Sequence, residues 1–260
     1  MQSVQRALTI LKAFDDEHLE FGVSELARRL GLSKSIVMRL VATLRDEGFL
    51  ERAGDKYRVG LAAFEVGNLY FLKASILREA EPLLHQLAEQ LGFSAYLSTL
   101  SDGRVVYILA IEGAGPIRVG PRIGSSVPAH TTAAGKVLLA HLPADDLERF
   151  LATHQLIAET PLSITDSEIL REELRTARLK GYAVNRGEHL LGVGAISAPI
   201  LDRHGSAVAA VTVAYPTYLV HEEQWPSIAS AVMDTARQIS RRLGTSGAPG
   251  WRELAPAAQQ

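Results

Sequence analysis

The most constraining stretch of this chain is Ser24–Glu47, where two short amphipathic helices are separated by only Gly31 and Leu32. Ser24 is placed to cap a helix over Glu25–Leu30, with Glu25 at the positive end of its dipole. Gly31 takes the positive φ that closes a helix at C′. Ser33 caps the next helix, which runs to Glu47 and stops at Gly48. Its apolar stripe, Val37, Leu40, Val41 and Leu44, keeps the i, i+3, i+4, i+7 spacing of one buried face. Two helices joined by so tight a turn form a helix-turn-helix unit. A preceding helix from a Ser3 cap to about Phe14 has Val4, Ala7, Leu8 and Leu11 at the same spacing. Phe49–Arg52 and Lys56–Val59 alternate around Ala53-Gly54-Asp55 as a hairpin. Residues 1–60 are therefore expected to form a winged helix-turn-helix.

The net charge of −2 is uninformative by itself, so local charge must decide. From Arg28 to Arg45 the charged residues are Arg28, Arg29, Lys34, Arg39 and Arg45, with no acid among them. Opposite the apolar stripe lie Ser35, Arg39 and Ala42, with Met38 and Lys34 beside them. This is the footprint of a helix that enters the major groove. Arg39 is the residue for a guanine edge or a phosphate, and Ser35 for either. Met38 and Ala42 can meet a thymine methyl. Ser33, Lys34, Arg28, Arg29 and Arg45 lie where phosphates would run, and Lys56 and Arg58 project from the wing. The alternative is a plain helical hairpin with a solvated basic face.

Beyond residue 60 the periodicity predicts a linker helix over Leu61–Lys73 and a second helix over Leu77–Gln90. Pro82 should kink or break it near Ala80–Glu81. Strands are expected at Ser94–Leu100, Val105–Glu112, Ile117–Pro121, Gly194–Ile200 and Ala207–Ala214, the last two around an Asp202–Gly205 turn. Helices are expected at Thr132–Ala140, Asp145–Leu151, Asp166–Lys180 and Gln224–Leu243. Strands in consecutive pairs with segregated helices read as an α+β domain with a mainly antiparallel sheet. The division is 1–60 for the winged helix, 61–76 for the linker, 77–244 for the second domain, and 245–260 for a disordered tail.

The chain has no cysteine, which removes disulfides, thiolate metal sites and thiol nucleophiles together. No run reaches the ~18 apolar residues of a membrane span, and Lys12 interrupts the first apolar stretch. A cytoplasmic protein is expected. Ala134-Gly135-Lys136 lacks both the earlier glycine and the following Ser or Thr of a phosphate loop, and Gly192-Val193-Gly194 has Ser197 where a third glycine is needed. The histidines show no metal-binding spacing, so neither metal nor cofactor is expected. Pro128–Thr132 leads into Ala133, Ala134 and Gly135 at a helix start. Free N–H groups and small side chains there suit an anion, and equally suit a packed helix start with no ligand.

The runs Ser3–Leu11 and Ser24–Ser35 resemble the IclR family of bacterial transcriptional regulators. So do Tyr57–Gly60, Ala134–Ala140 and Ser197–Ile200, the last with its following Asp202 and Gly205. The resemblance implies a winged helix, a linker helix and a GAF-like effector domain, assembled as a homodimer or homotetramer on operator DNA. It implies control by small organic or aromatic acids, with Asn185, Ala195, Thr212 and Ala214 lining the effector pocket beside Ala133–Gly135. Some relatives carry an acid at position 185 and serines at 212 and 214; Asn, Thr and Ala here imply a more apolar effector. Glu188 and His189 fit the same pattern as braces of the loop. The competing reading is an enzyme or small-molecule carrier whose N-terminal domain contacts protein, and salt-dependent DNA binding separates the two.

Overall fold

A computed structural model describes residues 2–15, 18–73, 75–115 and 120–243, with backbone alone at 68–73 and 75. It divides into two compact units, Met1–Ala74 and Ser75–Gln260. In the first, α1 (Gln2–Leu11), α2 (Val23–Leu30) and α3 (Lys34–Asp46) are followed by the hairpin β1 (Leu50–Ala53) and β2 (Lys56–Val59), then α4 (Leu61–Lys73). Ile10, Phe21, Leu26, Val37, Val41, Leu44 and Leu50 form its core. Gly31 takes φ +64° at the end of α2, as the tight turn demands.

Two caps differ from expectation. The α2 N-cap is Gly22, whose N–H donates to Glu25 Oε2 at 2.7 Å. Ser24 therefore lies inside the first turn, because Glu25 folds back to satisfy a donor that serine was expected to cover. This bond holds the Glu25 carboxyl below the usual carboxylate range. Ser3 likewise sits within α1, and α1 ends at Leu11 rather than Phe14. Phe14 instead meets Phe21 edge-on, with ring centroids 5.3 Å apart.

The second unit is a six-stranded antiparallel sheet of order β5-β4-β3-β8-β7-β6. Its strands are β3 (Ser94–Ser101), β4 (Arg104–Ile111), β5 (Ser126–Pro128), β6 (Ala183–Arg186), β7 (Val193–Leu201) and β8 (Ala207–Pro216). Helices α5 (Ser75–Leu91) and α9 (Trp225–Arg242) cover one face, over Ala95, Leu97, Ile196, Ala198, Val211 and Val213. On the other face lie α6 (Ala133–Ala140), α7 (Ala144–Thr153) and α8 (Ser167–Lys180), over Tyr96, Tyr107, Ala183, Ala210 and Ala214. The strict alternation of these two sets along β3, β7 and β8 is the period of two that a sheet buried on both faces requires.

Pro82 does not break its helix. It lies on the exposed side of α5, where water can satisfy a carbonyl released by the missing N–H, while Ala80, Leu83, Leu84 and Leu87 are buried together on the other side. Burial of that stripe outweighs the local cost. The strand expected at Ile117–Pro121 lies largely outside the described residues; Gly120 and Pro121 are in no strand, and the sheet edge is Ser126–Pro128. Strand β6 escaped the sequence reading because four residues beside the β7 turn carry too short a pattern. The expected tail at 245–260 also lies outside the described residues.

Candidate nucleic-acid interface and candidate effector site

On α3 the outward residues are those opposite the Val37–Leu44 stripe. Ser33, Lys34, Ser35, Met38 and Arg39 are exposed, and Ala42 is half-buried. Met38 is 61% exposed, a large apolar side chain left in water. Ser33 supplies the extended N-cap backbone, but its hydroxyl lies 3.2 Å from Ser35 Oγ instead of capping an N–H.

The basic residues separate into two groups. Arg45 is tied to Asp46 at 2.6 Å, which raises its pKa, and Arg58 to Glu51 across the hairpin. Lys56, only half-exposed, lies 3.5 Å from Glu25. Arg29 bonds Asp15 at 3.0 Å and stacks on Phe21. Arg28, Lys34 and Arg39 have no ion-pair partner among the described residues. An ion-paired guanidinium must give up its acid to neutralise a phosphate, so the free three are the ready ones. Arg52, exposed in β1 with its guanidinium 6.0 Å from the Tyr57 ring, was not singled out from sequence and adds an exposed cation to the wing.

The second unit gathers the other set. Register pairs Asn185 with Ala195, Ala195 with Ala214, and Ala214 with Ser94 in one cross-strand row. The adjacent row on the same face is Ala183, Ser197, Thr212 and Tyr96. All four sheet residues expected from the resemblance thus share one face, the one α6 covers. Thr132 caps α6 by accepting from the Gly135 N–H at 3.0 Å, and Thr132 O accepts from the Lys136 N–H. The N–H groups of Ala133 and Ala134 are left with no acceptor among the described residues. They form a two-donor cradle at a helix N-terminus.

Three details alter the expected roles. Gly135 has no room for a Cβ, because the backbone of Ala129 occupies that space. Asn185 is committed internally: Nδ2 donates to Thr131 O, and Oδ1 accepts from the Gly187 and Glu188 N–H groups. It holds the loop against α6. Lys136, fully buried, donates to Glu188 at 2.8 Å and Glu173 at 3.0 Å, which fixes α6 to that same loop.

Sequence reasoning missed the tyrosines. Tyr96 and Tyr107 meet edge-on at 5.9 Å on this face, and burial pushes both phenols above their ordinary pKa. A bulge between Leu97 and Ser98 in the β3–β4 register turns Tyr107 onto the same side as Ala110. No local signal in β4 reveals that shift.

Burial also lowers the pKa of His130, His141 and His189. A histidine whose folded pKa lies below its unfolded value, about 6.5, stabilises fully above that value. The stabilisation is lost as pH falls toward the folded pKa, since the unfolded chain then binds more protons. Thermal melts are expected to show a falling Tm from about pH 7 to about pH 5. A Tm that holds or rises on acidification would contradict this.

A fold that couples a winged helix-turn-helix to an effector-type domain defines a DNA-binding transcriptional regulator. The IclR helix-turn-helix domain matches residues 3–54, and the C-terminal domain of bacterial transcriptional regulator IclR matches residues 69–241. The chain belongs to the IclR family. It is 30% identical to the HTH-type transcriptional regulator KdgR of Escherichia coli over 246 residues, which is 94% of this chain and 93% of KdgR. The solved IclR transcriptional regulator of Alicyclobacillus acidocaldarius shares 28% identity and a TM-score of 0.82, over 94% of this chain and 99% of that one. An IclR homolog of Microbacterium hydrocarbonoxydans, solved with 4-hydroxybenzoate, has the same fold at 23% identity and a TM-score of 0.77, over 93% and 98% of the two chains. None of the described helices is long and apolar enough to cross a membrane.

Proposed function

We propose that this regulator binds operator DNA as a homodimer through α3 and the wing, and that a small aromatic carboxylate held against α6 controls that binding. The observation that carries the DNA reading is the pairing pattern: Arg28, Lys34 and Arg39 are exposed on α2 and α3 and have no ion-pair partner among the described residues, with Met38 beside them. Phosphates take Arg28 and Lys34, while Arg39, Ser35, Met38 and Ala42 face base edges.

The dimer reading rests on apolar exposure. Val4 and Leu8 on α1, and Leu61, Phe64 and Val66 on α4, are each more than half exposed. So many large apolar side chains in water on a unit this small mark a surface that another copy covers. Two copies related by a two-fold axis present two α3 helices, and the target is then an inverted repeat.

For the effector, the Ala133 and Ala134 amides supply donors to a carboxylate at the positive end of α6. Ala195, Ala214, Tyr96 and Tyr107 supply an apolar, partly aromatic body. The 4-hydroxybenzoate bound by the Microbacterium protein is of this chemical class. The test is selection of duplexes from a random library followed by anisotropy titration at several salt concentrations. An enriched inverted repeat is expected, with log affinity falling by about 0.9 per decade of salt for each phosphate neutralised. Recovery of no motif, with salt-independent binding, would overturn the DNA assignment and favour a protein-contacting N-terminal domain.

A further inference from the structure

On the sheet face that α5 and α9 cover, three donors come together without an acceptor. Register sets Arg186, Gly194 and Tyr215 in one cross-strand row of β6, β7 and β8, on the side opposite Asn185 and Ala195. A Cβ on Gly194 would lie 2.4 Å from Tyr215 Cε2, so the phenol ring fills that space and lies across β7. The Arg186 guanidinium stands over the Trp225 ring at the start of α9, 4.8 Å from its centroid. Phe93 tilts against Tyr215 with ring centroids 5.8 Å apart. Tyr215 Oη and Trp225 Nε1 are both buried, and neither has a hydrogen-bond partner among the described residues. Burial pushes the Tyr215 phenol above its ordinary pKa, against the smaller pulls of the Trp225 indole and the Arg186 charge, which marks the three as neighbours. The phenol keeps its proton.

An indole N–H and a guanidinium only donate. Whatever Trp225 offers to the phenol oxygen, the phenol proton is left with no acceptor, and a buried donor in that state is costly. Arg186 is exposed and makes no ion pair or side-chain hydrogen bond among the described residues. Stacking on Trp225 uses the flat face of its guanidinium and leaves the N–H edge open. Glu222 and Glu223, just ahead of Trp225, are exposed and are not among the groups that shift Tyr215. The missing partner is therefore an acceptor, and the charge of Arg186 favours an anion. A single cation between aromatic walls suits a carboxylate with an organic body. A phosphate, with more charge and more oxygens, would need further donors.

We infer that Arg186, Tyr215 and Trp225 form a second small-molecule site, for the carboxylate of a small organic acid, on the sheet face away from α6. One carboxylate oxygen accepts from the phenol O–H and the indole N–H, and the other accepts from the guanidinium edge. The site shares no residue with the α6 side, so either can stand without the other.

The test follows tryptophan fluorescence in the full chain carrying Trp251→Phe, which leaves Trp225 as the one tryptophan. The probes are acetate, benzoate, inorganic phosphate and benzamide, the last keeping the shape of benzoate without its charge. A saturable change is expected with at least one carboxylate, and none with benzamide. Arg186→Gln is expected to weaken that carboxylate roughly tenfold or more, and Tyr215→Phe, which keeps the ring and removes the hydroxyl, roughly threefold or more. A change that keeps its midpoint in both variants would be a response passed on from elsewhere, the α6 side included, and would overturn the inference. A benzamide response equal to that of benzoate would reduce the site to apolar contact and overturn it as well. A response to phosphate alone would overturn the carboxylate class. Silence with all four probes would leave the donors to an ordered water and end the proposal. Thermal melts of the variants without ligand confirm that each is folded.

Discussion

Replacing Arg39 with alanine is expected to weaken operator binding by about 1–3 kcal/mol, tenfold or more, with no change in Tm. The side chain is exposed on α3 and has no ion-pair partner among the described residues, so nothing in the fold depends on it. Its guanidinium can approach a guanine edge or a phosphate without breaking an existing bond. Arg58 makes the contrast. It is bonded to Glu51 across the hairpin, and a phosphate would have to compete with that carboxylate. Arg58→Ala is therefore expected to cost far less than Arg39→Ala in the same anisotropy titration. Comparison across operator variants separates base reading from phosphate neutralisation. A base contact gives a loss concentrated at one position of the half-site, and a phosphate contact gives a uniform loss with a salt slope smaller by about one. Unchanged affinity in a folded Arg39→Ala protein would remove α3 from the groove.

The first unit was legible in the sequence because its signals are local. Gly31 at positive φ, the Val37–Leu44 stripe and the hairpin turn each act over a few residues; Gly31 and the buried Val37, Val41 and Leu44 are as expected, while the turn is tighter, Gly54–Asp55 with Ala53 paired to Lys56. What sequence did not disclose there is pairing. Arg28 and Arg45 look alike in the chain, and only the fold distinguishes a guanidinium with no ion-pair partner among the described residues from one bonded to Asp46. Glu25 shows the same limit. Its helix-start position was evident, but its reach back to Gly22 depends on the backbone geometry at the turn.

The second unit was legible element by element and obscure as a site. Its rows join β6 to β7 and β8, and then β8 to β3, which lies more than a hundred residues earlier. No periodicity predicts that Tyr96 stands beside Thr212. The resemblance to a known family supplied Asn185, Ala195, Thr212 and Ala214, and these do share one face. It did not supply their hydrogen bonds. Asn185 turns out to brace its loop through its amide, and Thr212 to share a hydroxyl contact with Ser197. Such properties arise from which proton goes where, and this is fixed only when neighbours are in place.

Lys136 carries the other large expected effect. It is the one charged residue in α6, whose eight residues are all buried. Lysine is almost never fully buried without a partner, so its isolation among apolar neighbours was itself a signal of an acid elsewhere. The sequence reading weighed it only as part of a phosphate loop. Its partners are Glu188, almost as buried, and Glu173, which is partly exposed. Taking two charges out of water costs several kcal/mol each, and the pair regains this only through mutual contact. Lys136→Met keeps the volume and removes the charge, which leaves Glu188 buried with its other oxygen, Oε2, already unbonded. The expected loss is about 3–5 kcal/mol of unfolding free energy, read as a lower urea midpoint. Removing both charges in Lys136→Met/Glu188→Leu is expected to recover most of that loss, since no buried ion then lacks a partner. The pair also joins the helix that bears the Ala133 and Ala134 amides to the loop braced by Asn185. If it serves only stability, the double variant binds the effector as the wild type does. If it sets the spacing of the site, the double variant is stable but binds more weakly, and comparison of its urea midpoint with its effector affinity decides between the two. A single Lys136→Met variant as stable as the wild type would refute the burial argument outright.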